Sequence, residues 1–156
     1  MNLCIRAIAR AFPRVKVFET NDLHLCLQGQ IDIPILYDVR EAGEFNISHI
    51  PGAVHVRPSI SDDELKAKVL EHCEGCKKIV CYCSVGYRSS QLVDRIQTLL
   101  ALTDKEVHAF SLSGSIFKWA NEGKPLVDVN GSSTKYVHPY SLTAGTLLDR
   151  QLWKWK

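Results

Sequence analysis

Short apolar runs alternate with amphipathic stretches along most of the chain. Runs rich in β-branched residues predict five strands, at residues 15–18, 34–39, 53–56, 78–82 and 107–110. Apolar residues at three- and four-residue spacing predict helices between and after these strands. The predicted helices follow a Thr20 cap, span 41–47, follow the Ser61–Glu64 capping box, begin at Ser89 and lie near 116–121. This alternation predicts an α/β fold with a mostly parallel five-stranded sheet and helices on both faces.

The two ends of the chain lie outside the alternating pattern of strands and helices. Residues 1–14 predict an N-terminal amphipathic helix, with Cys4, Ile8 and Phe12 on one face and Pro13 at its end. Residues 15–126 hold the alternating elements and predict the main domain. Residues 127–156 form an aromatic-rich C-terminal extension, which either packs on the domain or contacts a partner.

Size and charge narrow the classes of function. A chain of 156 residues is long enough for one domain with a substantial core. A net charge of +2 argues against nucleic acid as the main ligand, and no apolar run is long enough to span a membrane. The six cysteines, without an export signal, predict a reducing compartment, and we expect the cytoplasm. Mitochondria are the alternative, because arginines dominate the charge of the N-terminal segment.

The chemistry points to one segment, Cys83-Ser84-Val85-Gly86-Tyr87-Arg88-Ser89. It follows a buried strand and precedes a long helix, so Cys83 is expected in a tight turn at the carboxyl end of the sheet, where such folds bind ligands. A helix N-terminus and a nearby guanidinium both favour a thiolate. Gly86 allows the backbone N–H groups to converge on an anion. Cys83 is therefore the predicted nucleophile.

The length of this loop separates two chemistries. Cysteine-dependent phosphatases place five residues between the cysteine and the arginine, a spacing that suits a tetrahedral phosphate. Here four residues, Ser84 to Tyr87, separate Cys83 from Arg88. The shorter loop favours a single sulfur atom carried on the cysteine.

Three blocks of sequence, in order, resemble the rhodanese family. The first contains Asp38-Val39-Arg40-Glu41, Glu44-Phe45 and His49-Ile50-Pro51-Gly52-Ala53; the second is the Cys83 loop; the third contains Leu112, Gly114, Ile116, Trp119, Gly123 and Pro125. Ser48 and Ser115 stand where the family commonly has glycine. The resemblance covers about residues 15–126 and implies the rhodanese-like three-layer fold.

The resemblance also implies a function. A rhodanese-type sulfurtransferase takes a sulfane sulfur from a donor such as thiosulfate and holds it as a persulfide on Cys83. It then passes the sulfur to cyanide or to a thiol, and a protein is a further candidate acceptor. Substrate-binding roles follow for the remaining loop residues Ser84, Val85, Gly86, Tyr87, Arg88 and Ser89. No cofactor, metal, nucleic acid or membrane is expected. The alternatives are a related cysteine phosphatase or arsenate reductase, and a non-catalytic binding module.

Two further groups of polar residues, Asp38 with Arg40 and Cys73 with Cys76, are candidates for a role at or near the site. Asp38 and Arg40 follow the second predicted strand and are expected at the rim of the site, although a structural role for Asp38, with Arg40 and Glu44 as ion-pair partners, is favoured. Cys73 and Cys76 form a CxxC pair after His72. This pair could bind zinc, form a disulfide or supply a resolving thiol for a Cys83 persulfide, but two ordinary loop thiols are favoured.

Overall fold

Five parallel strands form the central sheet of the computed structural model, which describes residues 1–29, 32–74, 78–104 and 106–156. Their bounds are β1 Lys16–Phe18, β2 Ile35–Asp38, β3 Val54–His55, β4 Lys78–Tyr82 and β5 His108–Leu112. Neighbouring strands follow the order β1-β5-β4-β2-β3, and each pairing is parallel. The predicted α/β sheet is confirmed, and β4 lies at its centre.

Helices cover both faces of this sheet. Their bounds are α1 Asn2–Ala11, α2 Thr20–Leu27, α3 Ala42–Ile47, α4 Asp62–His72, α5 Tyr87–Leu100 and α6 Ser115–Asn121. The predicted capping box is present at α4, where Ser61 accepts from the Glu64 amide and the Glu64 carboxylate accepts from the Ser61 amide. A second capping box joins Glu41 and Glu44 at the start of α3.

Alternate side chains of the strands build two separate apolar cores. Val80 and Tyr82 of β4 pack on one face with α2 and α6, whereas Ile79 and Cys81 pack on the other with α4 and α5. Successive side chains of a strand point to opposite faces, and here both faces are apolar because both are covered. Cys81 is fully buried, as its position in the strand predicts.

Two of the predicted helix starts are wrong. Glu19, not Thr20, occupies the N-cap position of α2. Thr20 lies in the first turn, and its hydroxyl donates to Glu122 at 2.6 Å. The long helix α5 begins at Tyr87, two residues before Ser89, because Gly86 supplies a left-handed cap that the apolar spacing does not reveal.

The C-terminal extension packs on the domain. It contains an antiparallel pair, β6 Leu126–Val127 and β7 Ser133–Thr134, then a short helix, α7 Leu142–Gly145, and a 3-10 turn, Arg150–Leu152. Three of its side chains, Val137, Leu148 and Leu152, join the core that contains Trp119. The extension therefore completes one of the two cores.

The N-terminal segment is the helix that the apolar spacing predicts. It runs over Asn2–Ala11, and the amide of Phe12, the residue before Pro13, donates to the carbonyl of Ile8. Among the described residues, no helix is long and apolar enough to cross a membrane.

Candidate active site

The Cys83 loop is a tight connection between β4 and α5. Cys83 comes directly after the last residue of β4, and α5 begins four residues later at Tyr87. Gly86 links them with a φ of 118°, in the region that residues with a Cβ rarely adopt. The loop thus needs a glycine at this position to turn the chain into the helix.

The N-terminal turn of α6 holds the loop from outside. The amides of Ile116 and Phe117 donate to the carbonyls of Cys83 and Ser84, at 3.1 and 3.2 Å. In the opposite sense, the Cys83 amide donates to the Ser115 hydroxyl at 3.2 Å. With these carbonyls bound to α6, the loop can present amide hydrogens to its centre.

The Cys83 sulfur lies inside this loop. Its Sγ accepts a hydrogen bond from the Gly86 amide at 3.1 Å, and the Ser89 hydroxyl lies 3.8 Å from it. Ser89 is in turn linked to Ser111 of β5 at 2.9 Å. Cys83 is only 1% exposed. A backbone donor on the sulfur and the N-terminus of the 14-residue helix α5 both stabilise negative charge on it.

Arg88 is held in an internal ion pair. Its Nη1 and Nη2 donate to the two carboxylate oxygens of Glu44, at 2.9 and 3.0 Å, and Nη2 also donates to the Ser84 hydroxyl. Burial works against the charge on Arg88, but Glu44 and the nearby Cys83 sulfur outweigh it and raise the pKa of the guanidinium. The sequence predicts a cation beside Cys83 but not the carboxylate that neutralises it.

Glu44 is nearly buried, and its charge depends on this pairing. Burial tends to raise the pKa of the carboxyl, but the hydrogen bonds and charge of Arg88 dominate and lower it. The expectation that Glu44 joins Asp38 and Arg40 in an ion pair is therefore wrong, because the Glu44 carboxylate is already bound bidentately to Arg88.

Asp38 and Arg40 form a second ion pair with fully buried side chains. Arg40 donates from Nε and Nη2 to Asp38, and from Nη2 to the carbonyl of Ser48. Full burial is a correction to their placement at the rim, since neither side chain is accessible to a ligand. The pair instead fixes the segment that leads to the His49–Gly52 turn, as the structural reading of Asp38 predicts.

Two segments from the ends of the chain close over the loop. A Cβ at Gly86 would lie 3.5 Å from Cδ1 of Ile8 in α1, and the ring of Phe12 meets that of Tyr87 edge-on, with centroids 5.2 Å apart. On the other side, the ring of Tyr140 in the extension lies over the Arg88 guanidinium, 4.6 Å from Cζ. Contacts from these two segments are consistent with the low solvent exposure of the Cys83 side chain.

α1 also carries a second cysteine, Cys4, which is partly buried. Burial raises the pKa of this thiol, and the amino terminus opposes the rise.

The structure brings the predicted loop residues together but gives them different surroundings. Ser84 and Ser89 are buried in the hydrogen bonds described above, whereas Tyr87 is half exposed and Arg88 is mostly covered. Three contributors are not predicted from the sequence: Glu44 as the partner of Arg88, Ser111 beneath Ser89, and Tyr140 over Arg88. Glu44 lies in a recognisable sequence block, but no local signal assigns its partner.

The remaining polar candidates lie apart from this loop or outside the described residues. The His49 ring forms a hydrogen bond with the carbonyl of Phe45 at 3.1 Å and so satisfies a backbone group of the turn. Cys76 lies outside the described residues, so the readings of the Cys73–Cys76 pair stay predictions. Within the described part of the chain, no group of three or more His, Cys, Asp or Glu side chains could hold a metal ion.

The sequence model of the rhodanese-like domain family matches residues 23–122. The chain belongs to the rhodanese-like domain family. The match runs from within α2 to the end of α6 and includes the whole Cys83 loop. It leaves out α1, β1 and the extension that carries Tyr140. No curated protein sequence matches the chain.

Several solved structures share the fold. The BH2092 protein from Bacillus halodurans aligns with a TM-score of 0.63 and 18% identity, over 94% of this chain and 98% of that chain. A thiosulfate sulfurtransferase from Pseudomonas aeruginosa aligns with a TM-score of 0.61 and 16% identity, over 94% of this chain but only 26% of that one. A protein from Rhodopseudomonas palustris, described as a possible tyrosine phosphatase, aligns with a TM-score of 0.56 and 18% identity, over 78% of this chain and 92% of that one. At these identities the likeness shows the fold.

Proposed function

We propose that this rhodanese-like protein is a sulfurtransferase that carries sulfane sulfur on Cys83. The observation that supports it best is the Cys83 sulfur at the N-terminus of α5, with the Gly86 amide 3.1 Å from Sγ. The family match adds to this support, because it includes the whole loop. The same loop amides would stabilise the terminal sulfur of a persulfide, which is an anion one bond further out.

The reaction takes two half-steps. The Cys83 thiolate attacks the outer sulfur of thiosulfate, the S–S bond of the donor breaks with its electron pair, and sulfite leaves. Cys83 then holds a persulfide, whose outer sulfur is attacked by cyanide or by a thiolate, and the Cys83 thiolate leaves. Atoms and charge balance without a cofactor, and the kinetics are ping-pong.

The loop residues have separate roles in this proposal. Gly86 and the first turn of α5 stabilise the sulfur anion, and Ser89 supports it from the side. Arg88 and Ser84, bound to Glu44, hold the shape of the loop. Val85, Tyr87 and the partly exposed edge of Arg88 form the surface that a donor or acceptor meets. The four-residue spacing from Cys83 to Arg88 favours this chemistry over phosphate transfer.

Intact mass spectrometry after incubation with thiosulfate tests the proposal. We expect a gain of one sulfur atom in the wild-type protein, its loss on addition of cyanide, and no gain in Cys83→Ser. Cys81→Ser is the matched control, because that thiol is buried in β4 and should not carry sulfur. Sulfur addition to Cys83→Ser, or phosphatase turnover without sulfur addition, would overturn the assignment.

A further inference from the structure

Arg88 is the cation of the Cys83–Ser89 loop, and its environment limits what it can bind. Both of its terminal nitrogens donate to Glu44, and Nη2 also reaches Ser84. Its side chain is 19% exposed. An anionic group of a donor therefore meets a guanidinium whose charge is already balanced by Glu44. It has to compete with that carboxylate for the nitrogens.

Tyr140 covers one side of the same guanidinium. Its ring centroid lies 4.6 Å from Cζ of Arg88, within the range of a cation–π interaction. The ring is about half exposed, so most of its surface does not serve to fill a core. The face of an aromatic ring carries negative potential, and it opposes the approach of an anion to the same guanidinium.

The backbone holds Tyr140 in this place against its own preference. Tyr140 has a φ of 64°, a conformation that is uncommon for a bulky residue and persists where the surroundings fix it. Its amide donates to Nδ1 of His138, and the next residue, Ser141, caps α7 by accepting from the Ala144 amide. Strained residues of this kind concentrate at functional sites.

The end of α7 anchors the segment further. A Cβ at Gly145 would lie 2.7 Å from the Trp153 ring and 3.0 Å from Cβ of Pro139, so these groups are in close contact. His138 meets Trp155 edge-on, with ring centroids 5.2 Å apart. The Tyr140 ring is thus presented by a packed support rather than by a free loop.

We propose that Tyr140 is a specificity-determining residue, whose ring over Arg88 disfavours anionic reagents and donors at Cys83 relative to neutral ones. Its meaning for sulfur transfer rests on the proposed function, but its effect on the Cys83 thiol does not. Tyr140 lies outside the residues that match the family, so the selectivity is a property of this chain's extension.

Alkylation of Cys83 tests this without sulfur transfer. Iodoacetate and iodoacetamide attack the same thiol, and only the first carries a negative charge. Site-resolved mass spectrometry gives the rate at Cys83 separately from the other cysteines. In Tyr140→Ala we expect the ratio of the iodoacetate rate to the iodoacetamide rate to rise about threefold to tenfold, the range of one cation–π interaction. Tyr140→Phe, which keeps the ring, should match the wild type.

Tyr136→Ala is a matched control, since Tyr136 is a partly exposed tyrosine of the same extension that lies beside Lys135. It should leave the ratio unchanged, and thermal melting should show that each variant is folded. An unchanged or lower ratio in folded Tyr140→Ala would overturn the proposal, as would an equal rise in Tyr136→Ala.

Sulfur transfer supplies the second arm. For thiosulfate, at a fixed saturating concentration of the acceptor, we expect kcat/KM of Tyr140→Ala to rise by a similar factor through KM. If the wild-type protein accepts no sulfur from any donor, the proposed function fails, and the alkylation ratio still decides the role of Tyr140. If sulfur transfer occurs but the thiosulfate KM does not fall, the role of Tyr140 fails alone.

Discussion

The carboxylate of Glu44 binds both terminal nitrogens of Arg88, at 2.9 and 3.0 Å, and joins two parts of the chain that lie 44 residues apart. Glu44 belongs to α3 and Arg88 to the first turn of α5. The pair crosses the carboxyl edge of the sheet and fixes the loop between its partners. Its loss should therefore affect the shape of the loop as well as its charge.

Replacing Arg88 should reverse the direction in which the Glu44 carboxyl makes the free energy of unfolding depend on pH. In the wild-type protein the pKa of Glu44 is lowered, so its contribution is present above the unfolded pKa and is lost as pH falls below about 4. In Arg88→Met the buried carboxyl loses its partner, and burial then raises its pKa. This variant should lose about 3 kcal/mol at pH 7 and less at pH 4.5, as urea unfolding at the two values would show.

The double variant Glu44→Gln, Arg88→Met is the control for this prediction. It removes the buried carboxyl, so its loss of stability relative to the wild type should change little between pH 4.5 and pH 7. A pH-independent loss in Arg88→Met would show that the carboxyl of Glu44 becomes hydrated once Arg88 is gone.

Ser115 should tolerate glycine better than alanine. Its φ is 52°, where glycine is unstrained, and its hydroxyl accepts the amide of Cys83. Ser115→Ala keeps the strain and leaves that amide unpaired, with an expected loss of about 2 kcal/mol. Ser115→Gly loses the same acceptor but relieves the strain, so it should be about 1 kcal/mol more stable than the alanine variant. Urea unfolding of both variants would measure the difference, and equal stabilities would contradict it.

Ser48→Ala should stabilise the protein. Ser48 is extended, with a φ of −168°, and its buried hydroxyl has no hydrogen-bond partner among the described residues. Removing an unsatisfied buried hydroxyl should raise the free energy of unfolding by about 1 kcal/mol. Ser90→Ala is the contrasting control, because the Ser90 hydroxyl donates to the carbonyl of Gly86 at 2.7 Å. Its loss should lower stability, and a gain in both variants would argue against the reasoning.

Leu148 and Leu142 should separate the packed part of the extension from its surface. Leu148 is 3% exposed in the core with Trp119, whereas Leu142 is 72% exposed. Leu148→Ala should cost about 3 kcal/mol, and Leu142→Ala less than about 0.5 kcal/mol. Chemical denaturation would measure both, and similar effects would show that the extension does not stabilise the domain.

Local patterns were enough to predict the sheet and the loop. The apolar runs at residues 34–39 and 78–82 are too continuous for a half-exposed strand, and β2 and β4 are indeed buried on both faces. The placement of Cys83 just after β4 followed from that assignment. Gly86 could be expected to turn the chain, because a left-handed residue was needed between strand and helix.

Long-range partners could not be read in the same way. Glu44 has the charge to pair with Arg40 or Arg88, and only the tertiary fold decides between them. Tyr140 is one of several aromatic residues in a segment without periodicity, so nothing local places it over Arg88. The cap of α2 was misplaced for a related reason: Thr20 bonds Glu122, which is 102 residues away, rather than its own helix.

The hydrogen bonds between His49 and Val127 tie the extension to the turn before β3, and further bonds tie Val137 to Leu152 and Lys154. Amides that can open only when a whole cooperative unit unfolds exchange with solvent hydrogen at the rate of that unit. The Val127 and Val137 amides should therefore exchange as slowly as those of β4. The last thirty residues would then unfold together with the sheet, in a single step.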